Sequence, residues 1–207
     1  MGRPSDARER LIAAAQEVIY AQSYEAVSVD ELCAAAGVRK SSFYHFFSSK
    51  QELLLVVLES QWQRIEETFL KPAFTDDLPP QEQILRFFEL VQESQQAQKQ
   101  RSGHTYGCPI GNLTVEMSTI DEMIRERAVQ IFQQWLGYFE RMLAQAKEQR
   151  IVPATLDIAL TAQALTAYFE GVLLLAKGKN DPALLQTLRE CALSLMQFQG
   201  VPALRET

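Results

Sequence analysis

The sequence predicts an all-α protein of about nine helices, with a three-helix N-terminal domain over residues 1–54 and a larger helical domain over residues 55–207. Three observations carry this. Apolar residues recur at three- and four-residue spacing almost throughout; Ser, Gly and Pro punctuate the chain where helices start and stop; and no stretch alternates as a strand does. Val152 and the Val27/Val29 pair are too short to count, and there is no internal repeat.

Leu11, Ile12, Ala15, Val18 and Ile19 form one face of a first helix ending near Gln22. Ser28-Val-Asp-Glu31 has the form of a capping box and opens a short second helix with Val29, Leu32 and Ala36 inward. Gly37 ends it, because glycine takes a left-handed turn without penalty, and a third helix follows from about Arg39 to Phe46. Two short helices joined by a Gly-bearing turn make a helix-turn-helix. Ser48-Ser-Lys-Gln51 resembles a further capping box and starts a long fourth helix that should stop before Pro72. Beyond residues 76–80, helices are expected at 81–100, 112–118, 121–149, 155–176 and 182–199, bounded by Pro153, Gly178 and Gly200. The Gln-rich patch at 92–100 reads as a solvated helix end.

A hydrophobic share of 47% in 207 residues is enough for a sizeable core. No uninterrupted apolar run approaches a membrane span, and the N-terminus lacks a signal-peptide core, so a cytoplasmic location without membrane contact is expected. Three cysteines at distant spacings suit reduced thiols rather than a disulfide scaffold. The net charge of −6 is uneven: residues 1–50 hold six basic and six acidic residues, and the remainder carries the whole excess. A local cationic face is therefore compatible with an acidic protein.

That face lies in VRKSSFYHFFSSK. Val38 and Phe43 would anchor the third helix, leaving Arg39, Lys40, Ser41, Ser42, Tyr44 and His45 outward, the residue types that a helix entering a major groove uses. Lys50 adds a charge beside the N-terminal amides of the fourth helix. Residues 8–58, with SVDELCAAAGVRKSSFYHFFSSKQELL at their centre, resemble the DNA-binding domain of TetR/AcrR-family transcriptional regulators. The resemblance implies that Ser28, Lys40, Tyr44 and Lys50 touch phosphates and that Arg39, Ser41, Ser42 and His45 lie at or near base edges. It also implies a homodimer on a palindromic double-stranded DNA operator, with a C-terminal domain for effector sensing and dimerisation. Two positions depart from the pattern. Ser23 replaces the usual glycine after the first helix, so the loop is either strained or takes another route. Arg39 replaces a small hydroxyl, which removes a cap and makes it a candidate for operator choice.

Nothing points to catalysis. His45 and His104 are the only histidines, no nucleophile elbow appears, and no metal or cofactor is expected. Trp62, Phe69, Phe87, Phe88, Phe132, Trp135, Tyr138, Phe139, Tyr168 and Phe169 read mainly as core, Cys33 and Cys191 as small buried fillers, and Arg125, Arg127 and Arg141 as solvated charges. Two apolar stripes, Leu156 to Leu175 and Leu184 to Met196, offer more surface than one bundle needs and suggest an intersubunit four-helix interface.

Cys108 in TYGCPIGNL is the remaining candidate. Gly107, Pro109 and Gly111 would hold a turn around the sulfur, a helix starting near Asn112 would present amides to a thiolate, and Lys177 could supply a charge. GCPIGNL is similar to a branch of the same family that answers electrophiles and oxidants such as N-ethylmaleimide, quinones, aldehydes and hypochlorous acid. The resemblance implies a repressor released by such an effector at Cys108 or by a small ligand; the alternatives are a structural cysteine, and a helical small-molecule-binding protein or enzyme with a vestigial helix-turn-helix.

Overall fold

The computed structural model describes residues 4–196, and all regular structure among them is helical. The elements are α1 (Pro4–Ala21), α2 (Val29–Ala36), α3 (Lys40–Phe46), α4 (Lys50–Ile65), a π-helical turn (Glu66–Leu70), α5 (Lys71–Ala73), α6 (Pro80–Ser102), α7 (Pro109–Met117), α8 (Glu122–Glu148), α9 (Ile158–Lys179) and α10 (Ala183–Leu195). Since α5 only prolongs α4, these amount to nine helices. The expected extension of the last helix to Gln199 and its boundary at Gly200 lie outside the described residues.

Two compact units emerge. The first joins residues 1–64 to 109–131 and the second joins 65–108 to 132–207, so the chain passes from one to the other between Cys108 and Pro109. In the first unit α1 packs on α2 and α3, with Leu11, Ala15, Leu32, Phe43, Phe47, Leu53 and Leu54 buried. Phe47 takes the anchoring place expected of Val38, which is only half-buried. In the second unit α10 lies against α6 and α9 around an aromatic cluster. The Phe87 ring stands 4.6 Å from Phe169, 5.8 Å from Trp135, 5.8 Å from Phe139 and 5.6 Å from Phe74. Edge-to-face and tilted pairs of this kind add to the burial of large rings.

Several expectations need correction. Pro72 does not stop the fourth helix: the preceding π-helical turn widens the backbone where its ring would strike the carbonyl one turn earlier, and the helix runs on to Ala73. The cap of α4 is Ser49, whose hydroxyl accepts the Glu52 amide at 3.1 Å, so the helix begins at Lys50. Helix α7 starts at Pro109, three residues early, because proline's missing N–H is no loss at a first helical position. Only Gly107 of the expected turn residues is left-handed (φ 77°); Gly111 is helical. Gly178 is also helical, and Asn180 (φ 50°) ends α9.

Candidate nucleic-acid interface and cysteine site

The helix-turn-helix is built by local chemistry that the sequence encodes in four-residue words. Ser28 caps α2: its hydroxyl accepts the Glu31 amide at 3.2 Å, while the Glu31 carboxylate accepts the Ser28 amide at 2.7 Å and hydroxyl at 2.7 Å. Those bonds hold the Glu31 carboxyl below the usual carboxylate range. Gly37 turns the chain at φ 62°, and the guanidinium of Arg10 from α1 covers that turn, donating to the carbonyls of Ala36 at 3.0 Å and Gly37 at 3.2 Å. Arg39 then precedes α3 without capping it. Ser23 is not left-handed: its hydroxyl accepts the Ala26 amide at 3.2 Å, so the loop takes another route than a glycine turn.

On α3, Arg39, Lys40, Ser41, Tyr44 and His45 are exposed, and Ser42 is half-buried. The Tyr44 ring is 54% exposed and rests edge-on against Phe43, which is fully buried, so its phenol is held outward by packing. Lys40 pairs with Asp30 at 2.9 Å, an exposed pair that raises the lysine's pKa and contributes little to stability. Ser28 and Lys40 thus have intramolecular partners that a phosphate would compete for.

Lys50 is placed differently from the other expected contacts. Its ammonium donates to the Tyr24 carbonyl and stands 3.9 Å from the centroid of the Tyr24 ring. Burial there pulls its pKa down, against the opposing pull of Glu25, Glu116 and Glu31. The loop it grips is also held by α7. The Glu116 carboxylate accepts the amides of Tyr24 at 3.1 Å and Glu25 at 2.8 Å. Gln51 donates to Asp121, which also caps α8 by accepting the Ile124 amide at 3.1 Å. Arg127, expected to be a solvated charge, pairs with Glu59 of α4 and is half-buried. Helix α7 and the start of α8 are therefore fastened to the helix-turn-helix within one unit. Sequence reasoning missed Arg10, Glu116 and Asp121 because each acts on backbone or amide groups of a distant segment, for which no spacing rule exists.

Cys108 lies in the second unit, 5% exposed, at the end of a connection pinned from two helices. Gln95 of α6, in the patch expected to be solvated, is buried and holds Gly107 at both ends, donating to its carbonyl at 3.0 Å and accepting its amide at 3.2 Å. Asn180, after α9, accepts the Thr105 amide at 2.8 Å and donates to the Gly103 carbonyl at 2.9 Å. The Lys177 stem crosses Gly107 so closely that an added Cβ would sit 3.3 Å from its Cδ. The expected neighbour is thus beside the cysteine-bearing loop.

A further residue was not anticipated. The Cys108 thiol donates a hydrogen bond to the Glu170 carboxyl of α9. The Glu170 stem leaves the residue half-buried overall, but its Oε1 is shut off from solvent and has no hydrogen-bond partner. Burial pushes this carboxyl up to about 7, the thiol's hydrogen bond pulling the other way. One signal existed: Glu170 is the sole charged residue from Ile158 to Ala176. That apolar run makes α9 long and apolar enough to cross a membrane by length and composition, with mean hydropathy 1.5. Its packing against α10 buries part of that apolar surface and leaves Leu160, Leu174 and Leu175 exposed. The other thiols differ: burial raises the Cys33 pKa, and Cys191 is only half-buried. Among the described residues no group of three His, Cys, Asp or Glu is placed to hold a metal.

Comparison with known proteins finds matches over both regions of the chain. Residues 11–57 match the family described as bacterial regulatory proteins, tetR family, and residues 83–192 match the tetracyclin repressor-like C-terminal domain. The chain is 30% identical to the transcriptional regulator AcuR of Cereibacter sphaeroides, over 87% of this chain and 84% of that protein. It is 28% identical to the HTH-type transcriptional repressor DhaR of Mycobacterium sp. strain GP1, over 82% of each. Among solved structures, regulatory protein TetR from Rhodobacter sphaeroides superposes with a TM-score of 0.81 at 28% identity, covering 90% of this chain and 96% of that one. The reduced form of E. coli NemR superposes with a TM-score of 0.77 at 20% identity, covering 94% and 99%, which is a likeness of fold.

Proposed function

We propose that this chain, which belongs to the TetR family of bacterial regulatory proteins, is a cytoplasmic repressor that binds a palindromic operator as a homodimer and leaves it when an effector acts on the second unit. DNA-binding transcriptional regulation follows from the family, whose members are regulators and not enzymes. The observation that carries the DNA-binding reading is the outward row Arg39, Lys40, Ser41, Tyr44 and His45 on a helix whose opposite face is locked by Phe43 and Phe47. We assign DNA contact to residues 1–54, phosphates going to Ser28, Lys40, Tyr44 and Lys50 and base edges to Arg39, Ser41, Ser42 and His45. Lys50 reaches a phosphate by exchanging its Tyr24 carbonyl for it.

Sensing and dimerisation fall to residues 55–207. The exposed Leu160, Leu174 and Leu175 of α9 and Leu195 of α10 give a second copy an apolar face to cover, which supports the homodimer. Cys108 with Lys177 beside it is the point at which an electrophile or oxidant acts, and α7, which begins at the next residue, is bonded to the Tyr24 loop. A chemical change at residue 108 therefore has a covalent route into the DNA-binding unit.

The test is a gel shift on the DNA upstream of the protein's own gene, at several salt concentrations, with and without N-ethylmaleimide or hypochlorite. Specific retention that weakens with salt is expected, with release by the wild type and by Cys33→Ser/Cys191→Ser but not by Cys108→Ser. Binding no tighter than to random duplex refutes the regulator reading, and an equally responsive Cys108→Ser protein removes Cys108 from the mechanism.

A further inference from the structure

Within the second unit, the Cys108 thiol, the Glu170 carboxyl and the Gly107 backbone form a small buried group whose polar parts are unevenly satisfied. A carboxylate in water accepts about four hydrogen bonds by its lone-pair count. That of Glu170 accepts the Cys108 thiol, and its Oε1 accepts nothing. An under-solvated carboxylate is a stronger base than an exposed one, and here the group that donates to it is the Cys108 thiol.

We propose that Glu170 is the proton acceptor that arms Cys108 toward an uncharged α,β-unsaturated carbonyl electrophile of the kind that N-ethylmaleimide represents. The inference rests on the reading of Cys108 as the electrophile site. In the step, the S–H bond breaks and its proton passes to the Glu170 carboxylate. The sulfur lone pair forms an S–C bond to the β-carbon, and the C=C π pair moves to the carbonyl oxygen as an enolate. The Glu170 carboxyl then returns its proton to the α-carbon. The product is a thioether, nothing is oxidised, and the carboxylate is regenerated without the thiol donor that it had before.

The surroundings fit that class of effector. A charged reagent would have to give up its hydration to reach a cysteine that is 5% exposed, and an anionic one would also meet the carboxylate. The neighbouring charged group is Lys177, two turns further along α9 with its stem over Gly107, while α6 contributes the neutral amide of Gln95. Since burial places the Glu170 carboxyl at about 7, it is half ionised near neutral pH, where a general base works best.

The experiment measures the rate at which N-ethylmaleimide labels the Cys108 peptide of the full-length protein, by mass spectrometry, from pH 5.5 to 9. It compares wild type, Glu170→Gln and Glu170→Asp. In the wild type the rate is expected to rise through pH 7 and level off. In Glu170→Gln it should fall about tenfold or more at pH 7 and climb steadily with hydroxide instead, and Glu170→Asp should recover part of it. A Glu170→Gln protein that labels as fast as wild type, or faster, overturns the inference, because a carboxylate that merely repels a thiolate gives that result. A wild-type Cys108 that takes no label while Cys191 does overturns the electrophile reading itself and this inference with it. The melting temperature of each variant shows that the rates belong to folded protein.

Discussion

The α3 face and the Cys108 loop solve opposite problems with the same side-chain types. On α3 the charged and hydroxyl groups stand in water, and their native partners, such as Asp30 for Lys40, are exposed and weakly held. Around Cys108 the polar groups are fastened within the chain, Gln95 by two bonds to Gly107 in a buried setting and Asn180 to Thr105 and Gly103 nearer the surface, with a buried Glu170 oxygen left over. Groups held this way on α3 can exchange partners at little energetic cost. At the cysteine loop the bonds fix the backbone and leave one carboxyl oxygen over, and an unpaired buried carboxyl oxygen is destabilising in proportion to its charge.

The comparison breaks if the two units do not have separate cores. Phe43 in the first and Phe87 in the second are both fully buried, and truncating either should cost about 3 to 5 kcal/mol. Phe43→Ala removes the support beneath Tyr44 and should abolish operator binding even at a temperature where far-ultraviolet circular dichroism stays largely helical. Phe87→Ala opens the aromatic cluster and should lower the melting temperature about as much, while hydrogen exchange in α2 and α3 changes little. Equal loss of protection in both units for either variant would mean one cooperative core.

A smaller effect sharpens the contrast at Glu170. Its folded pKa, about 7, lies above the model-compound value of 4.5, so the folded state holds its proton more tightly than the unfolded chain does. Below pH 4.5 the group is neutral in both states and carries no penalty. As pH rises toward 7 the unfolded chain ionises first, and stability falls by an amount on the order of 2 to 3 kcal/mol before levelling off. Glu170→Gln should remove this slope. The variant is expected to be more stable than wild type by roughly 1 to 3 kcal/mol at pH 8, and the difference should shrink toward pH 5 in thermal or urea denaturation. A pH-independent difference would mean that the carboxyl is paired or hydrated.

This contrast also explains what was legible in the sequence. The capping box Ser28–Glu31, the Gly37 turn and the exposed row on α3 depend on residues within four positions of one another, and the rules for such spacing are local. The all-helical class and the TetR-type resemblance rest on the same local words. The cysteine site is non-local: Gln95, Asn180, Lys177 and Glu170 reach it from far along the chain, and only Lys177 was anticipated. Gln95 misled because a Gln-rich helix end is usually solvated. Pro72 misled because the rule that proline stops a helix assumes α-helical geometry behind it, and the π-helical turn at Glu66–Leu70 supplies another.

The effects expected on α3 leave stability unchanged, and there side chains of neighbouring positions should separate by kind. Tyr44→Phe deletes one exposed hydroxyl and leaves the ring on Phe43, so the fold is untouched. If the hydroxyl donates to a phosphate, affinity falls by about 1 kcal/mol for operator and random DNA alike, since a phosphate carries no base identity. Arg39→Ala removes a side chain that neither caps α3 nor is buried, so stability should again be unchanged. Its loss should instead appear as relaxed preference at one position per half-site, about 1 to 3 kcal/mol of discrimination, with binding to random duplex reduced far less. Competition of each variant between operator, single-base variants and random duplex reads both quantities at once. A uniform loss for Arg39→Ala would place that guanidinium on the backbone, leaving Ser41, Ser42 and His45 as the base-reading side chains of α3.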